Sequence, residues 1–328
     1  MKAIHFDRFG GADVLRYLDV PDPVVRPTDL LVKVASAGVN QSDLGYREGG
    51  YGQANWGDSA LMGLEMAGEV VSVGHEVAGY RVGDRVMGIT GGGAYAQLCR
   101  IDYRMVLPVP PSLELIEAGA VMEAFVTSHE ALVHLAKLGH GETVLIHAAS
   151  GGIGSAAVQI AHALGARVLF TASAQRLADV RALGGDVGID YRSQDFARVV
   201  HRETDGRGVD VVIDFVGAAY FERNISSLAD GGRLVQVGMM AGGRFGEIPL
   251  DVLILRHLRL MGTVMKSRSQ EAKRAMVHRF GKRWLSELER GAIKPVIETT
   301  YPLSQAAQAQ QRMQAGNLLG KILLLPLS

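Results

Sequence analysis

The stretch that decides the fold is TVLIHAASGGIG, residues 143–154. Its first half is a continuous apolar run typical of a buried strand, and its second half is a glycine-rich turn that leads into a helical pattern over residues 153–164. Gly151 would let the backbone approach a diphosphate, and Gly154 would let the helix pack closely against the strand. The diphosphate would then lie at the positive end of that helix. The residues expected to contact it are Ser150, Gly151, Gly152 and Ile153.

A glycine-rich loop without a ligand is the alternative to this interpretation, and the surrounding pattern argues against it. Predicted strands at residues 167–171, 209–214 and 233–237 alternate with helical segments, of which one covers about residues 175–183. Residues 258–265 would supply a last strand. This alternation predicts an α/β fold with a doubly wound parallel sheet, that is, a Rossmann domain.

The N-terminal part of the chain predicts a different kind of domain. Short apolar runs at residues 30–34, 68–74 and 83–87 are separated by Gly, Pro and Asp, which is the pattern of β-rich structure. Prolines at positions 108, 110 and 111 end this pattern, and a helical stretch begins near Glu114.

The C-terminal tail is expected to return to that β-rich domain. The pattern predicts a helix from beyond Ser267 to Gly291, a second helix after Ser304, and a strand over residues 321–325. The predicted domains are residues 1–123 with 266–328, and residues 124–265.

Composition excludes several classes of protein. The chain has 328 residues, of which 48% are hydrophobic and 21% charged, which is a globular rather than a disordered balance. Lys plus Arg and Asp plus Glu number 34 each, so the basic excess of a nucleic-acid-binding protein is missing, and no nucleic acid is expected as a partner. No apolar stretch approaches the ~20 residues that cross a bilayer, and no secretory pattern is seen. With Cys99 as the single cysteine, a cytoplasmic location is expected.

The end of the second strand of the dinucleotide unit favours NADPH over NADH. A site specific for NADH places Asp or Glu there, where the carboxylate binds the ribose 2′-hydroxyl. This chain has TASAQR at residues 171–176, without a carboxylate. The small side chain of Ser173 leaves room for a 2′-phosphate, and Arg176 would pair with its charge. The alternative is that Arg176 is a solvated helix residue.

Six stretches then carry the pattern of a known family. They are GVNQSDL (38–44), GLEMAGEV (63–70), GDRV (83–86), GAYAQ (93–97), residues 141–159 and GKIL (320–323). Over nearly its whole length the chain resembles the medium-chain dehydrogenase/reductase superfamily, and specifically its zinc-independent quinone oxidoreductase branch. The resemblance implies a GroES-like N-terminal domain, a Rossmann domain that binds NADPH, and a homodimer.

The residues at the family's metal positions argue against zinc. Zinc-dependent members of the superfamily place a ligand Cys where this chain has Asn40 and a ligand His where it has Leu64. Neither side chain is a useful zinc ligand, and one cysteine cannot build a four-Cys structural site. Without a Lewis acid a simple alcohol is hard to activate, whereas a quinone or an α,β-unsaturated carbonyl needs less help. No metal site is therefore expected, and reduction is favoured over alcohol oxidation.

The resemblance also implies three catalytic candidates. Asn40 and Asp43 would lie beside the nicotinamide, and the Asn40 amide would donate to an acceptor oxygen. For Asp43 an equal alternative is that it only anchors the loop in which it lies. Tyr51 would face the substrate and donate a hydrogen bond as charge develops on the carbonyl. The neighbouring Tyr46 and Trp56 would instead stack on a flat aromatic substrate. The alternative for Tyr51 is that it is a surface aromatic residue in a glycine-rich loop.

Further cofactor contacts follow from the same resemblance. Thr127 corresponds to a threonine near the nicotinamide, and Tyr191 to a tyrosine near the 2′-phosphate. Other residues expected to line the cofactor are Gly238, Met239, Met265 and Asn317. Ordinary packing is the alternative for each of them. His147 ends a buried strand and is interpreted as a satisfied core histidine rather than a ligand.

These observations predict hydride transfer from NADPH, bound between the two domains, to a small quinone or enone. An enoyl-thioester or enone reductase of the same superfamily is the first alternative, and a non-catalytic NADPH- or RNA-binding protein is an alternative of another class. A homodimer is expected because the strand over residues 258–265 would lie at a sheet edge, which must be covered or paired.

Overall fold

The computed structural model describes residues 1–50, 59, 61–244 and 250–326. The chain divides into two compact units, one formed by Met1–Val126 with Met265–Ser328 and the other by Thr127–Val264. Each unit has its own main sheet. Among the described residues, no helix combines the length and apolar character that a bilayer crossing requires.

The strands are numbered in chain order. They are β1 (Lys2–His5), β2 (Arg16–Asp19), β3 (Asp29–Val39), β4 (Glu65–Val73), β5 (Arg85–Ile89), β6 (Leu98–Asp102), β7 (Val106–Pro108), β8 (Thr143–Ile146), β9 (Arg167–Ala172), β10 (Val187–Asp190), β11 (Val209–Asp214), β12 (Leu228–Gln236), β13 (Arg259–Gly262), β14 (Ile297–Pro302) and β15 (Lys321–Leu325).

The α-helices follow the same order. They are α1 (Gln41–Arg47), α2 (Leu115–Ala118), α3 (Met122–His129), α4 (Gly152–Ala163), α5 (Leu177–Ala182), α6 (Phe196–Glu203), α7 (Phe221–Ser227), α8 (Leu250–Leu255), α9 (Gln270–Glu289) and α10 (Ala306–Gln314). A π-helical segment, Glu130–Leu135, continues α3.

The first unit is built on a seven-stranded sheet. The main path has the order β14-β15-β3-β4-β5-β7, and β6 pairs with β3 beside it. β15 runs antiparallel to β3 in a register that pairs Ile322 with Val39 and Leu324 with Ala37. The predicted return of the C-terminal strand to the N-terminal β-rich unit is therefore confirmed. Because the side chains of β15 are almost all buried, this pairing fixes the tail in the core of the unit.

The second unit is a doubly wound parallel sheet with the order β10-β9-β8-β11-β12-β13, as predicted. The chain moves outward from β8 to β10 and then returns to β11 on the other side of β8, so the direction of winding reverses between β8 and β11. One core cluster joins strand residues such as Leu145, Leu169 and Val212 to the helical residues Phe196 and Ile225, all nearly inaccessible to solvent. Burial on both faces explains why these strands read as continuous apolar runs.

Three details differ from the sequence prediction. The strand β10 was not predicted, because its four residues include a glycine and are too few for a clear pattern. The single helix predicted near residues 175–183 is a 3-10 turn, Ala174–Arg176, followed by α5; the Arg176 amide bonds to the Ser173 carbonyl, which is the tighter 3-10 spacing. The last strand, β13, is shorter than predicted and lies at the edge of the sheet.

Candidate active site

The turn between β8 and α4 is held tightly against its own strand. Ala148 adopts a left-handed conformation with φ of 48°, and the Gly151 amide donates to the Ala148 carbonyl at 3.0 Å. A Cβ placed on Gly154 would lie 2.3 Å from the Ala148 oxygen and 2.7 Å from the Ala149 Cα. Both are backbone atoms that cannot move aside, so position 154 requires glycine.

The open side of the same turn fits a diphosphate. A Cβ on Gly151 would meet only the Ala148 oxygen, at 3.4 Å, so its other side faces open space. The N-cap of α4 is Gly151, which has no side chain to cap the first amides, and the first turn carries no acidic residue. Partly exposed amides at a helix N-terminus attract an anion. The predicted contact residues in this turn, Ser150, Gly151, Gly152 and Ile153, are all partly exposed.

Two neighbouring strand ends bring together the residues predicted to bind the 2′-phosphate. Ser173 follows β9 and Tyr191 follows β10, and the Tyr191 amide donates to the Ala172 carbonyl at 3.3 Å. The Arg176 guanidinium forms an ion pair with Asp179 at 3.2 Å. The Arg192 guanidinium lies 5.7 Å from the centre of the exposed Tyr191 ring. These two arginines bring guanidinium groups to the strand ends, where Asp179 and Asp190 supply an equal number of carboxylates.

The remaining cofactor candidates of the second unit lie on other elements. The Gly238 amide, just beyond β12, donates to the Asp214 carbonyl at 3.3 Å, and a Cβ on Gly238 would lie 2.7 Å from the Phe215 oxygen. Met239 follows with an exposed side chain, and Thr127 is a partly exposed residue of α3. The glycine therefore brings the chain close to the end of β11, beside β8 in the sheet.

The first unit contains a buried polar cluster formed by Asn40, Asp43, Glu65, Tyr95 and Lys321. All five residues are at most 6% exposed. Lys321 forms an ion pair with Glu65 at 2.6 Å and also donates to the Asn40 side-chain oxygen. The Asn40 Nδ2 donates to Glu65 Oε1 at 3.0 Å and to the Gly38 carbonyl at 3.3 Å. Both amide hydrogens of Asn40 are thus used inside the cluster, so donation to a substrate would require one of these bonds to break.

Asp43 has an unusual protonation equilibrium in this cluster. Burial raises its pKa to about 6, although the hydrogen bonds from Tyr95 and from the Asn40 backbone act in the opposite direction. The carboxylate accepts from the Tyr95 hydroxyl at 2.8 Å and from the Asn40 amide at 2.9 Å. The Asn40 bond belongs to a capping box at the start of α1. These contacts support the loop-anchoring alternative for Asp43.

Two further titratable groups adjoin the cluster. The Glu123 amide donates to Glu65 Oε2 at 2.8 Å, and burial together with the nearby Glu65 charge raises the pKa of the Glu123 carboxyl to about 7. Lys266 lies with its Nζ 4.4 Å from the centre of the Tyr46 ring, and burial lowers its pKa, although Asp43 and Glu123 act against that shift. Protonation in this unit therefore changes near neutral pH.

Two family models match the chain. "Alcohol dehydrogenase GroES-like domain" matches residues 26–111, and "Zinc-binding dehydrogenase" matches residues 152–281. The quinone oxidoreductase of Pseudomonas aeruginosa is 34% identical over 335 residues, covering 99% of both chains. The chain belongs to the medium-chain dehydrogenase/reductase superfamily, in its quinone oxidoreductase branch.

Two further similar proteins extend the comparison. The crystal structure of the Escherichia coli quinone oxidoreductase complexed with NADPH has a TM-score of 0.90 at 27% identity and covers 99% of this chain and 100% of its own. Erythronolide synthase EryA2 of Saccharopolyspora erythraea is 35% identical over 326 residues, which is 96% of this chain but only 8% of that synthase. The family resemblance drawn from the sequence motifs is therefore confirmed.

Of the superfamily's two metal positions, Asn40 is engaged in the buried cluster, and Leu64, which precedes Glu65, has no side-chain donor atom. Asn40 and Glu65 hold the ammonium group of Lys321 between them. Among the described residues, no three His, Cys, Asp or Glu side chains are grouped as metal ligands. An amide and a carboxylate that already bind a lysine are a poor donor set for zinc, which prefers His and Cys. Zinc independence stays a prediction that this geometry supports.

Some of these residues were predicted from the sequence, and others were not. Asn40 and Asp43 lie together as expected, and His147 is confirmed as a buried, doubly hydrogen-bonded core histidine. Met265 is buried and Asn317 is exposed with φ of 54°, both in the first unit. Tyr51 and Trp56 lie outside the described residues. The partners missed were Glu65, Tyr95, Glu123, Lys266 and Lys321. The only signal for Glu65 and Lys321 was a charged residue at the start of a mainly apolar strand.

Replacing Lys321 by Met should destabilise the protein by about 3–5 kcal/mol, because it leaves Glu65 buried without its cation. The double variant Lys321→Met/Glu65→Gln should recover part of that loss, since the uncompensated charge is then gone. Urea unfolding of the four forms of this double-mutant cycle measures both effects. Lys2→Met, which breaks the exposed ion pair with Asp19, is the control and should change stability far less. Independent, additive losses from the two substitutions would contradict the pairing.

Glu123 should make stability depend on pH. Its pKa of about 7 lies above the usual 4.5, so the folded protein holds a proton that the unfolded chain releases between these values. The free energy of unfolding should therefore fall as the pH rises from 4.5 to about 7, and Glu123→Gln should reduce that slope, leaving the part that Asp43 contributes below about pH 6. Urea unfolding over this range, with the exposed Glu117→Gln as matched control, measures it. An unchanged slope in Glu123→Gln would show that another group titrates.

Proposed function

We propose that this enzyme is a zinc-independent, NADPH-dependent reductase that transfers hydride to a quinone or a similarly activated carbonyl compound. The observation that carries the proposal is the glycine turn before α4, together with the end of β9, which has no carboxylate. The chain that contains both features matches a quinone oxidoreductase over 99% of its length. NADPH is the ligand of a structural relative whose chain is fully covered.

NADPH would be held mainly by the second unit. The amides of Gly152 and Ile153, together with Ser150 and the open side of Gly151, would bind the diphosphate. Ser173, Arg176 and Tyr191 would bind the 2′-phosphate. Thr127, Gly238, Met239, Met265 and Asn317 are proposed to line the rest of the cofactor. When bound, NADPH supplies the hydride, and the protein supplies orientation and a dry environment.

The acceptor would be oriented by the first unit. The cluster keeps Asn40 in one orientation through bonds to Lys321 and Glu65. The Asn40 amide would therefore line the site in a fixed position and would not donate a hydrogen bond to the acceptor. Asp43 would anchor the loop, and Tyr51 remains the proposed hydrogen-bond donor to the acceptor oxygen. The proton that completes the reduction would come from water or from Tyr51.

An enoyl-thioester or enone reductase is the second candidate, and the 35% match to erythronolide synthase EryA2 is the observation that favours it. Side-by-side oxidation of NADPH with an ortho-quinone and with a 2-enoyl thioester separates the two candidates. We expect the larger kcat/KM with the quinone. A larger value with the thioester would replace quinone reduction by enoyl reduction. Salt-dependent retention of RNA without turnover of either acceptor would favour the non-catalytic alternative.

Arg176→Ala should raise the KM for NADPH about tenfold or more, because one charge-assisted bond to the 2′-phosphate is lost. The KM for NADH, which lacks that phosphate, should change little, so the preference for NADPH should decline. Steady-state kinetics with both nucleotides measures the ratio. Arg181→Ala removes an exposed arginine of α5 and is the matched control. Equal effects of Arg176→Ala on both nucleotides would remove Arg176 from the 2′-phosphate site.

We further propose a cytoplasmic homodimer formed through the second unit. Among the described residues, β13 is the edge strand of its sheet and has no neighbour on one side. The helix α8 exposes the apolar side chains of Leu250, Ile254 and Leu255, the last at 77%. An edge strand beside an exposed apolar surface is a natural place for a second copy to pair.

Ile254→Arg should shift the protein toward monomer, because it puts a charge into the proposed apolar contact. Sedimentation velocity at several concentrations measures the mass. The control is Ile116→Arg, which changes an exposed isoleucine of the first unit. A wild-type protein that sediments as a monomer at every concentration would exclude the dimer.

A further inference from the structure

The second unit contains a directional chain of buried hydrogen bonds, which we call the His147 chain, formed by Thr171, His147, Asn224 and Asp214. All four side chains are at most 1% exposed. His147 Nδ1 lies 3.0 Å from Thr171 Oγ1, and His147 Nε2 lies 2.7 Å from Asn224 Oδ1. Asn224 Nδ2 donates to Asp214 Oδ2 at 3.0 Å. The chain therefore connects the ends of β9, β8 and β11.

The direction of every bond in this chain is determined by its ends. Asp214 Oδ2 also accepts the Gly217 amide, so it faces the Asn224 amide as an acceptor, and Asn224 Oδ1 must face the histidine. His147 Nε2 then carries the hydrogen. At the other end the Ala148 amide donates to Thr171 Oγ1 at 3.2 Å, which leaves the threonine hydrogen for His147 Nδ1. A neutral imidazole with its hydrogen on Nε2 satisfies all of these bonds.

The surroundings of His147 agree with a neutral ring. Its ring packs edge-on against Phe196 and Tyr220, with centroids 4.6 and 4.8 Å away. Burial lowers the pKa of His147, and the positive charge of Arg223 acts in the same direction, although Asp214 and the bond to Asn224 oppose the shift. Arg223 itself lies over the Phe196 and Tyr220 rings.

One end of the chain holds the glycine turn that the proposed function assigns to NADPH, and the other end holds the loop at residues 214–217, against which the proposed cofactor residue Gly238 packs. At the β8 end, Thr171 accepts from Ala148, whose left-handed backbone starts the glycine turn. At the β11 end, Asp214 accepts from the Val216 amide at 2.7 Å and the Gly217 amide at 3.1 Å. The Asp214 carbonyl accepts from the amides of Val237 and Gly238. A non-glycine residue adopts the left-handed conformation only where its surroundings stabilise that conformation. The hydrogen bond from the Ala148 amide to Thr171 is part of that stabilisation.

We infer that His147 is a positioning residue that couples the proposed cofactor-binding turn at residues 148–151 to the loop at residues 214–217, which supports Gly238. The inference rests on the proposed function, because only NADPH binding makes a common alignment of these loops useful. His147 does not touch the reacting atoms; it fixes the distance between the loops through Thr171 on one side and Asn224 on the other.

Thr171→Val tests the coupling because valine keeps the shape of threonine and removes the hydroxyl. In the protein without nucleotide, amide hydrogen exchange should accelerate in both loops, at Ala148–Gly151 and at Val216–Gly217, by roughly tenfold. The matched control is Thr204→Val, since Thr204 also accepts from a backbone amide, that of Gly208. This control should accelerate exchange near Gly208 and leave both loops unchanged.

A second pair of measurements uses the histidine and the nucleotide. Nitrogen-15 NMR of the His147 ring should show the hydrogen on Nε2. The Kd for NADPH should rise roughly tenfold in Thr171→Val, while kcat at saturating NADPH stays within about twofold, as expected of a lost binding alignment. His147→Asn, which keeps an acceptor for Thr171 but cannot reach Asn224, should release the loop at residues 214–217 more than the turn at residues 148–151.

The outcomes separate this inference from the proposed function. Accelerated exchange confined to residues 148–151 in Thr171→Val, or a ring hydrogen on Nδ1, would overturn the coupling. An unchanged Kd for NADPH despite lowered stability would also overturn it and leave a purely structural network. If the wild-type protein bound no NADPH, the proposed function would fail and the positioning role with it, whereas the exchange result would still show whether the loops are coupled.

Discussion

The close approach between the α4 helix and the turn that precedes it is the constraint on which the rest of the second unit depends. The Ala148 oxygen lies where a Cβ at position 154 would be, so helix and strand meet at backbone distance. This contact directs the N-terminus of α4 to the open side of the turn. It also places Ala148 in the left-handed conformation that Thr171 and His147 support. The other proposed cofactor residues of this unit lie at strand ends or in α3.

The first unit depends on a different interaction, the buried ion pair between Lys321 and Glu65. A buried ion pair seldom adds net stability over apolar residues of the same size, so stability alone does not explain it. The pair also fixes the side chain of Asn40 and lies beside Asp43 and Glu123, whose pKa values are both raised by burial. The cluster therefore fixes the orientation of Asn40, which is proposed to line the acceptor site, and affects the protonation of Asp43 and Glu123 beside it.

The sequence predicted those features that local pattern determines. The glycine turn, the alternation of strands and helices and the carboxylate-free end of β9 are each encoded within a few neighbouring residues. The pairing of Lys321 with Glu65 joins residues from distant parts of the chain, and only the antiparallel register of β15, β3 and β4 brings them together. His147 was correctly interpreted as a core residue, but its bonds to Thr171 and Asn224 depend on the ends of β8 and β9 and on α7, which are separated in the chain.

The central claim is that this family member reduces its acceptor with NADPH and without a metal ion. The most direct test measures quinone-dependent oxidation of NADPH and the metal content of the same purified sample, before and after exhaustive treatment with a zinc chelator. We expect full activity in protein that contains far less than one metal ion per chain. Stoichiometric zinc in the active sample, with activity lost on chelation and restored by added zinc, would contradict the account.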